Sequence, residues 1–367
     1  MISIESFQGD HIRTISERYK LPPQMIFNNI CALFLTQNLS SVGLPFVLRG
    51  GLSMQQILAT PVRPTSDVDI LVEPDLNIDQ YLAKIAILLP FDRIEEEKRE
   101  AIKKMKKRHF KCFYKTGRRA LKEDDQAFIY LDVVFEKDCF RHTLIKNLHS
   151  TLAITTEDYP IKVVIPTPEK ILSEKLTMLG IQNQHGRLFR DLADRMMCQL
   201  WDCDALIDYI TEPKKLREQF DLDAQRQMHI YGLTLSTNEM LYSIFQHCLT
   251  IISGGEVDQR EYEKLKNALD RVSGTFLEKG NIYVDTSKKA CRIAYLISGM
   301  LIPDNFSLSL LQNQSTSMLA DDRAPDFLRN DEHLSELRTN GTYEYRLLLS
   351  SIKSIESYLN ANGNSSL

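Results

Sequence analysis

The chain reads Phe46-Val-Leu-Arg-Gly-Gly-Leu-Ser-Met54 and, shortly afterwards, Arg63-Pro-Thr-Ser-Asp-Val-Asp-Ile-Leu-Val72, and these two stretches decide the fold. The first predicts an apolar strand that ends in a glycine turn. The second predicts another strand that carries two carboxylates, Asp67 and Asp69, two residues apart. Because side chains two apart on a strand share a face, both carboxylates can bind one cluster of hard cations, which prefer oxygen ligands and commonly arrive with substrate phosphates. The pattern therefore indicates phosphate chemistry.

A third carboxylate stands in the stretch Ile129-Tyr-Leu-Asp-Val-Val-Phe135, whose β-branched and aromatic residues predict a strand. Burial of a lone carboxylate is costly, so Asp132 needs a cation or a cationic partner. If its strand lies beside that of Asp67 and Asp69, the three carboxylates would hold two divalent ions about 3.5–4 Å apart. The alternative is that Asp67 is a turn residue, Asp69 pairs with a basic side chain such as Arg63, and Asp132 lies on an edge strand.

The glycine turn at Gly50 and Gly51 opens a predicted short helix from Leu52 to Ala59. Glycine lets the backbone approach a ligand closely, and the amide groups at the start of a helix attract anions. We therefore expect this turn to face a triphosphate.

A strongly basic segment lies between the two acidic strands. From Lys98 to Lys122 the sequence has twelve Lys or Arg residues and one acid, Glu100, although the net charge of the whole chain is −4. Aromatic residues such as Phe110 and Tyr114 alternate with these cations, a combination that follows a phosphate backbone and stacks on bases. The expected nucleic-acid contacts are Lys103, Lys104, Lys106, Lys107, Arg108 and Lys111. The alternative is a solvated surface whose charge only aids solubility.

The order of elements along the chain predicts an α+β fold. Helical patterns and strands are mixed up to Pro166, whereas only helical patterns follow it. We expect residues 1–166 to form a small mixed β-sheet core that is flanked by helices and includes an N-terminal helix and the basic segment. Residues 167–367 are expected to form a mostly α-helical C-terminal domain.

The composition is that of a globular protein, with 43% hydrophobic residues and seven cysteines that lack C-x-x-C spacing. Neither a disulfide framework nor a zinc site is expected. Residues 1–10 lack the basic head and apolar core of a signal peptide, and no run of about 18 apolar residues predicts a membrane span. We expect a cytoplasmic protein without a membrane partner. Walker A, dinucleotide-binding, zinc-protease and serine-hydrolase motifs do not occur in the sequence.

Two blocks of motifs carry a resemblance to a known family. The first is Gly50-Gly51-x-Ser53 followed by Arg63-x-Thr65-x-Asp67-Val-Asp69. The second is Thr167-Pro-Glu-Lys-Ile-Leu-Ser-Glu-Lys-Leu-Thr177 followed by Arg187-Leu-Phe-Arg-Asp-Leu-Ala-Asp194. Together they resemble the nucleotidyltransferase signature of the AbiEii/AbiGii toxin family, within the DNA polymerase β-like superfamily. One departure is Gly51, which stands where a serine is common, so that a hydroxyl for the phosphate would have to come from Ser53.

The resemblance implies a metal-dependent enzyme that transfers the nucleoside monophosphate of an NTP to a hydroxyl group. Its catalytic and metal-binding residues would be Asp67, Asp69 and Asp132 with two Mg²⁺ ions, and Asp132 would accept the proton of the hydroxyl. The residues that would bind the nucleotide are Gly50, Gly51, Ser53, Arg63, Thr65, Lys175, Arg190 and Asp191. A surface lysine is the alternative for Lys175, and the charges from Arg187 to Asp194 are also spaced to stabilise their own helix.

The expected partners follow from the same resemblance. It implies the toxin of a toxin–antitoxin or phage-defence pair, with a cognate antitoxin. The basic segment favours an RNA acceptor, and the 3′ end of tRNA is the first choice. The alternatives are a nucleotidyltransferase that acts on a protein or small-molecule hydroxyl and a catalytically silent binding protein of the same fold.

Overall fold

The computed structural model describes residues 1–98, 106–114, 127–156, 158–180, 189–313, 337–339 and 342–361. The chain divides into two compact units. The first comprises Met1–Ile171 and Thr275–Glu278, and the second comprises Leu172–Gly274 and Lys279–Leu367.

A mixed sheet of seven strands forms the centre of the first unit. Its strands are β1 (Val47–Arg49), β2 (Val68–Val72), β3 (Phe91–Glu97), β4 (Lys107–Tyr114), β5 (Phe128–Phe135), β6 (Thr143–Asn147) and β7 (Lys162–Pro166). They lie side by side in the order β3-β4-β5-β2-β1-β7-β6. The β2/β5 and β1/β7 pairs are parallel, and the other neighbours are antiparallel. The acidic strands predicted from the sequence are thus adjacent and central.

Helices cover this sheet. They are α1 (Gly9–Tyr19), α2 (Pro23–Ser41), α3 (Gly50–Gln55) and α4 (Asp79–Ile85). Helix α2 begins with a proline, which the first turn tolerates because its amide would have no partner there. Its Ile26, Ile30 and Leu33 are fully buried and belong to one core with Ile70 of β2 and Leu131 of β5. Each such apolar side chain contributes roughly 1.5–3 kcal/mol through burial, so this contact fixes the acidic strands beneath the helix.

From Pro168 onward the described elements are helical. They are α5 (Pro168–Gly180), α6 (Phe189–Ile207), α7 (Pro213–Tyr231), α8 (Thr237–Ile252), α9 (Gln259–Val272), α10 (Ile282–Leu301), α11 (Leu308–Asn313) and α12 (Thr342–Ala361). Helix α10 packs against α6, α8 and α12 and buries most of its length. The start of α8 is fixed by a capping box between Ser236 and Glu239. The second unit therefore has its own helical core.

The predicted fold class is confirmed. The chain combines a small mixed β-sheet that is flanked by helices with a mostly helical C-terminal region. Over the ranges given above, none of the helices has the length and apolar character needed to cross a membrane.

Candidate active site

Strands β2 and β5 bring two of the predicted carboxylates together. The Cα atoms of Asp69 and Asp132 are register partners in this parallel pair. Residues opposite each other on neighbouring strands point to the same face, so the two side chains stand next to one another. Asp67 directly precedes β2, and this residue is exposed to solvent. The alternative that Asp132 lies on an edge strand is wrong, because β5 lies between β4 and β2.

The glycine turn lies directly against Asp69. Gly50 has a φ of +66°, a left-handed conformation that side chains with a Cβ rarely adopt, and a Cβ built there would overlap Asp69 Oδ2. At Gly51 a Cβ would overlap the hydroxyl of Thr65. Both glycines are therefore required by close approach, and the turn and the Asp69 carboxylate form one surface.

The carboxyl of Asp69 is unfavourably placed for its negative charge. Burial raises its pKa above the ordinary value, and the charges of Asp132 and Asp67 raise it further. Arg49, its register partner on β1, and Lys107 on β4 act in the opposite direction without cancelling the shift. Arg49 and Lys107 are thus basic side chains whose charges lower the pKa of Asp69.

Asp132 has two partners on β4. Lys107 Nζ donates to its Oδ2 at 2.8 Å, and His109 Nδ1 lies 2.7 Å from its Oδ1. Burial alone would raise the pKa of this carboxyl, but the hydrogen bonds and positive charge of Lys107, followed by those of His109, lower it below its ordinary value. Asp132 is therefore ionised at neutral pH.

The donor set of this site suits hard divalent cations. Asp67, Asp69 and Asp132 offer only carboxylate oxygens, which Mg²⁺ prefers, and a cation would offset the burial and the charge repulsion that together raise the pKa of Asp69. Across the described stretches, no three His, Cys, Asp or Glu side chains already stand in an arrangement that could hold a metal. The carboxylate of Asp132 is instead bonded to Lys107 and His109.

Three further predicted nucleotide contacts lie around the turn. Ser53 is fully buried, and its hydroxyl donates to the Gly50 carbonyl at 3.0 Å, which fixes the turn. The hydroxyl of Thr65 accepts a bond from Gln55 Nε2 at 3.4 Å. The Arg63 side chain is half-buried. The structure thus places Ser53 and Thr65 at the glycine turn, and the contact of all three residues with a nucleotide stays a prediction.

The remaining predicted nucleotide contacts belong to the second unit. Lys175 Nζ donates to Asp202 Oδ2 at 2.7 Å and to Gln199 Oε1 at 3.1 Å, and its side chain is only 9% exposed. The alternative of a surface lysine is therefore wrong. Arg190 and Asp191 lie in the first turn of α6, and their side chains lie outside the described part of the structure.

Four cations of the basic segment, Lys106, Lys107, Arg108 and Lys111, are bonded to groups of the chain itself. Lys107 binds Asp132, Arg108 binds Asp79 and Glu96, and Lys111 binds Glu97. Lys106 donates to the carbonyl of Pro74 and lies over the ring of Phe135. Lys103 and Lys104 lie outside the described residues. For all six residues, contact with nucleic acid stays a prediction.

The family comparison agrees with these motifs. The sequence pattern of the family described as "Nucleotidyl transferase AbiEii toxin, Type IV TA system" matches residues 33–270, a range that contains the glycine turn and all three carboxylates. The chain belongs to the AbiEii nucleotidyl transferase family. The resemblance predicted from the sequence is confirmed, and the chain is a nucleotidyltransferase of a family of type IV toxin–antitoxin systems.

One similarity of this AbiEii chain to a solved structure is distant. A solved structure described as an antigenic nucleotidyltransferase-like protein from Paracoccidioides brasiliensis is 16% identical and covers 55% of this chain and 87% of its own. Its TM-score of 0.35 is too low to add to the family assignment. No curated protein matches the sequence.

Sequence reasoning on this AbiEii chain missed three residues of the site. Arg49 ends β1 directly before the glycine turn, and its register with Asp69 follows once β1 and β2 are paired. In the sequence, His109 is one of several scattered histidines, and Lys107 is only one cation of the basic segment. The available signal was their spacing of two on a strand next to the one that carries Asp132.

Proposed function

We propose that this chain transfers a nucleoside monophosphate from an NTP to an acceptor hydroxyl, with Asp67, Asp69 and Asp132 as the ligands of two Mg²⁺ ions. The observation that carries the proposal is the register pairing of Asp69 with Asp132 beside a glycine turn that has no room for a Cβ. Converging carboxylates next to a bare backbone turn are the elements that a metal-bound triphosphate requires.

The side chains have separate roles in this proposal. When bound, the divalent ions neutralise charge on the phosphates and lower the pKa of the acceptor hydroxyl. Asp69, at the glycine turn, would help to hold the metal-bound triphosphate, and the backbone at Gly50 and Gly51 would contact the phosphate oxygens. Asp132 is ionised at neutral pH and accepts the proton of the hydroxyl.

The acceptor in this proposal is RNA, with the 3′ end of tRNA as the first choice. Its support is the position of the basic segment in the chain, because β4, which belongs to that segment, is the direct neighbour of β5 and its Asp132. A polyanion attracted to this segment would arrive next to the carboxylates.

A protein or small-molecule hydroxyl is the second candidate acceptor, and one observation favours it. Within the described part of the basic segment, Lys107, Arg108 and Lys111 are each bonded to a carboxylate of the chain. A phosphate backbone would have to compete with those carboxylates, whereas a neutral acceptor would not.

The family points to the biological setting. Membership in a type IV toxin–antitoxin family supports a cognate antitoxin as the genetic partner, and we propose that the transfer reaction is the toxic activity, used in toxin–antitoxin control or phage defence.

Incubation of the purified chain with each labelled NTP, MgCl₂, total RNA and total protein tests the proposal. We expect the label of one NTP to enter the RNA fraction near the size of tRNA, and no transfer when EDTA replaces MgCl₂. Label in the protein fraction would identify the second acceptor class. No transfer from any NTP to either fraction would contradict the proposed reaction.

A triple variant distinguishes the acceptors. In Lys103→Ala/Lys104→Ala/Lys106→Ala we expect at least about a tenfold loss of RNA labelling with unchanged NTP binding, because phosphate contacts dominate the affinity for RNA. Lys214→Ala/Lys215→Ala, which removes exposed charge from α7, is the charge control. Equal RNA labelling by the triple variant and wild type would exclude the basic segment from acceptor binding.

A further inference from the structure

The two partners of Asp132 come from one short stretch of β4. Lys107 and His109 are two residues apart, so their side chains project from the same face of the strand. His109 is the register partner of Asp132 in the antiparallel β4/β5 pair. Lys107 Nζ and His109 Nδ1 bind different oxygens of the carboxylate, at 2.8 Å and 2.7 Å. The carboxylate is therefore held from two sides by a single strand.

The ammonium group of Lys107 acts on more than one acid of the site. It binds Asp132, and its charge also lowers the pKa of Asp69, the register partner of Asp132 on β2. The ammonium lies close to both carboxylates. An incoming cation would be attracted most strongly to the same place, because both negative charges act there. A divalent ion bound to these carboxylates would therefore compete with Lys107.

The hydrogen bonds of Lys107 and His109 to Asp132 differ in how easily they break. The side chain of Lys107 is 31% exposed and ends a flexible stem, so its ammonium can turn to solvent at small cost. The His109 side chain is 15% exposed, lies directly across the strand pair, and has a rigid ring. An ionised carboxylate has no proton to give, so His109 Nδ1 donates to it and fixes its orientation.

We propose that Lys107 is a displaceable internal counter-ion, which occupies the Asp132 carboxylate until divalent cations bind, and that His109 is the positioning residue that keeps this carboxylate oriented throughout. The inference rests on the proposed metal-dependent function. It assigns opposite effects to two side chains that touch the same carboxylate. Loss of Lys107 removes a competitor of the metal, whereas loss of His109 removes a support of a metal ligand.

Binding of Mn²⁺ alone to the full chain, without nucleotide, measures both effects through the electron paramagnetic resonance signal of free Mn²⁺. In Lys107→Met we expect about fivefold tighter binding, because an ion pair of this exposure competes with the metal to about that extent. In His109→Ala we expect roughly tenfold weaker binding, as is usual when a group that orients a metal ligand is lost.

Conservative variants separate these roles from general disturbance of the strand. Lys107→Arg keeps the competing charge and should bind Mn²⁺ as wild type does. His109→Asn keeps a short donor and should recover most of the affinity that His109→Ala loses. Lys111→Met removes the same charge from the same face of β4, where its partner is Glu97, and should change the affinity by less than about twofold.

Asp69→Asn distinguishes failure of this inference from failure of the proposed function. If wild type does not bind Mn²⁺, or if Asp69→Asn binds it equally well, the metal site and this inference are both wrong. If Asp69→Asn weakens binding while Lys107→Met binds no tighter than Lys111→Met, the counter-ion role of Lys107 is wrong. If His109→Ala binds like wild type, the positioning role is wrong.

Discussion

Each unit of the chain contains a group of poorly exposed aspartates, and the two groups are neutralised differently. In the second unit Asp202 binds Lys175 and Asp204 binds Arg292, both at 2.7 Å, with every one of these side chains at most 9% exposed. In the first unit the pKa of Asp69 stays raised despite the nearby Arg49 and Lys107. The charge of a closely paired carboxylate such as Asp202 is balanced within the helical core, so that loss of one partner alone is costly. The ionised form of a carboxyl such as Asp69, whose pKa burial and neighbouring acids raise, is disfavoured in the fold, and a bound cation would stabilise it.

The largest expected effect is on catalysis. Asp69→Asn keeps the shape of the side chain and removes its charge, and we expect transfer to fall by about 10⁴-fold or more, since metal binding supplies several kcal/mol of transition-state stabilisation. Steady-state labelling at saturating NTP measures it. Asp75→Asn, an exposed aspartate shortly after β2, is the control and should keep wild-type activity. Substantial transfer activity in Asp69→Asn would contradict the role that the comparison gives to the Asp69 carboxylate of the first unit.

The next effect concerns the paired acids of the second unit. Asp202→Ala leaves the ammonium of Lys175 buried without its carboxylate, which should lower the free energy of unfolding by about 3–5 kcal/mol. Trp201, the only tryptophan of the chain, is buried beside Asp202 in α6, so its fluorescence in a urea titration reports this unit.

A double variant tests the cause of that loss. In Asp202→Ala/Lys175→Met no charge is left unpaired, and we expect most of the stability to return, because replacement of a buried pair by apolar groups is often close to neutral. Equal loss in the single and double variants would mean that packing, and not charge pairing, determines the role of Asp202.

A smaller effect is expected at the glycine turn. Gly50→Ala should lower the free energy of unfolding by more than the roughly 1–2 kcal/mol that a left-handed alanine costs, because its Cβ also displaces the Asp69 carboxylate. Gly43→Ala is the matched control, since Gly43 has a φ of +75° and nothing within 4 Å of the added Cβ. Calorimetry compares the two variants, and only Gly50→Ala should also lose transfer activity. Equal effects of both variants would show that backbone strain alone explains the glycine.

Much of the first unit could be predicted from the sequence. The strands that carry Asp69 and Asp132 are dense in β-branched residues, and the glycines between β1 and α3 mark the turn, so local patterns specify them. Strand β3 could not be predicted in this way, because most of its residues are charged and exposed, and its pairing with β4 gives it its conformation. The conformation of β3 is therefore determined by its pairing with β4 and not by the local propensity of its residues.

The polar contacts of both sites depend on register and helix packing, which local sequence does not reveal. His109 meets Asp132 only because of the offset at which β4 pairs with β5. Lys175 is one residue off the apolar stripe of α5, as a surface lysine would be, yet it is buried because α6 brings Asp202 and Gln199 to it. The two acidic strands were therefore predictable, whereas the groups that tune the charge of Asp69 and Asp132 were not.

The central claim is that the folded chain disfavours the negative charge of Asp69, and calorimetry of Asp69→Asn tests it most directly. Because the pKa of Asp69 is raised in the folded chain, its contribution to stability is present below the ordinary value of 3.8 and is lost as pH rises through the folded-state pKa. Asparagine avoids that loss. Without divalent cations, the account predicts that at pH 7 the variant melts above wild type, and that this difference shrinks as the pH is lowered toward 3.8. A variant that melts below wild type at every pH would contradict it.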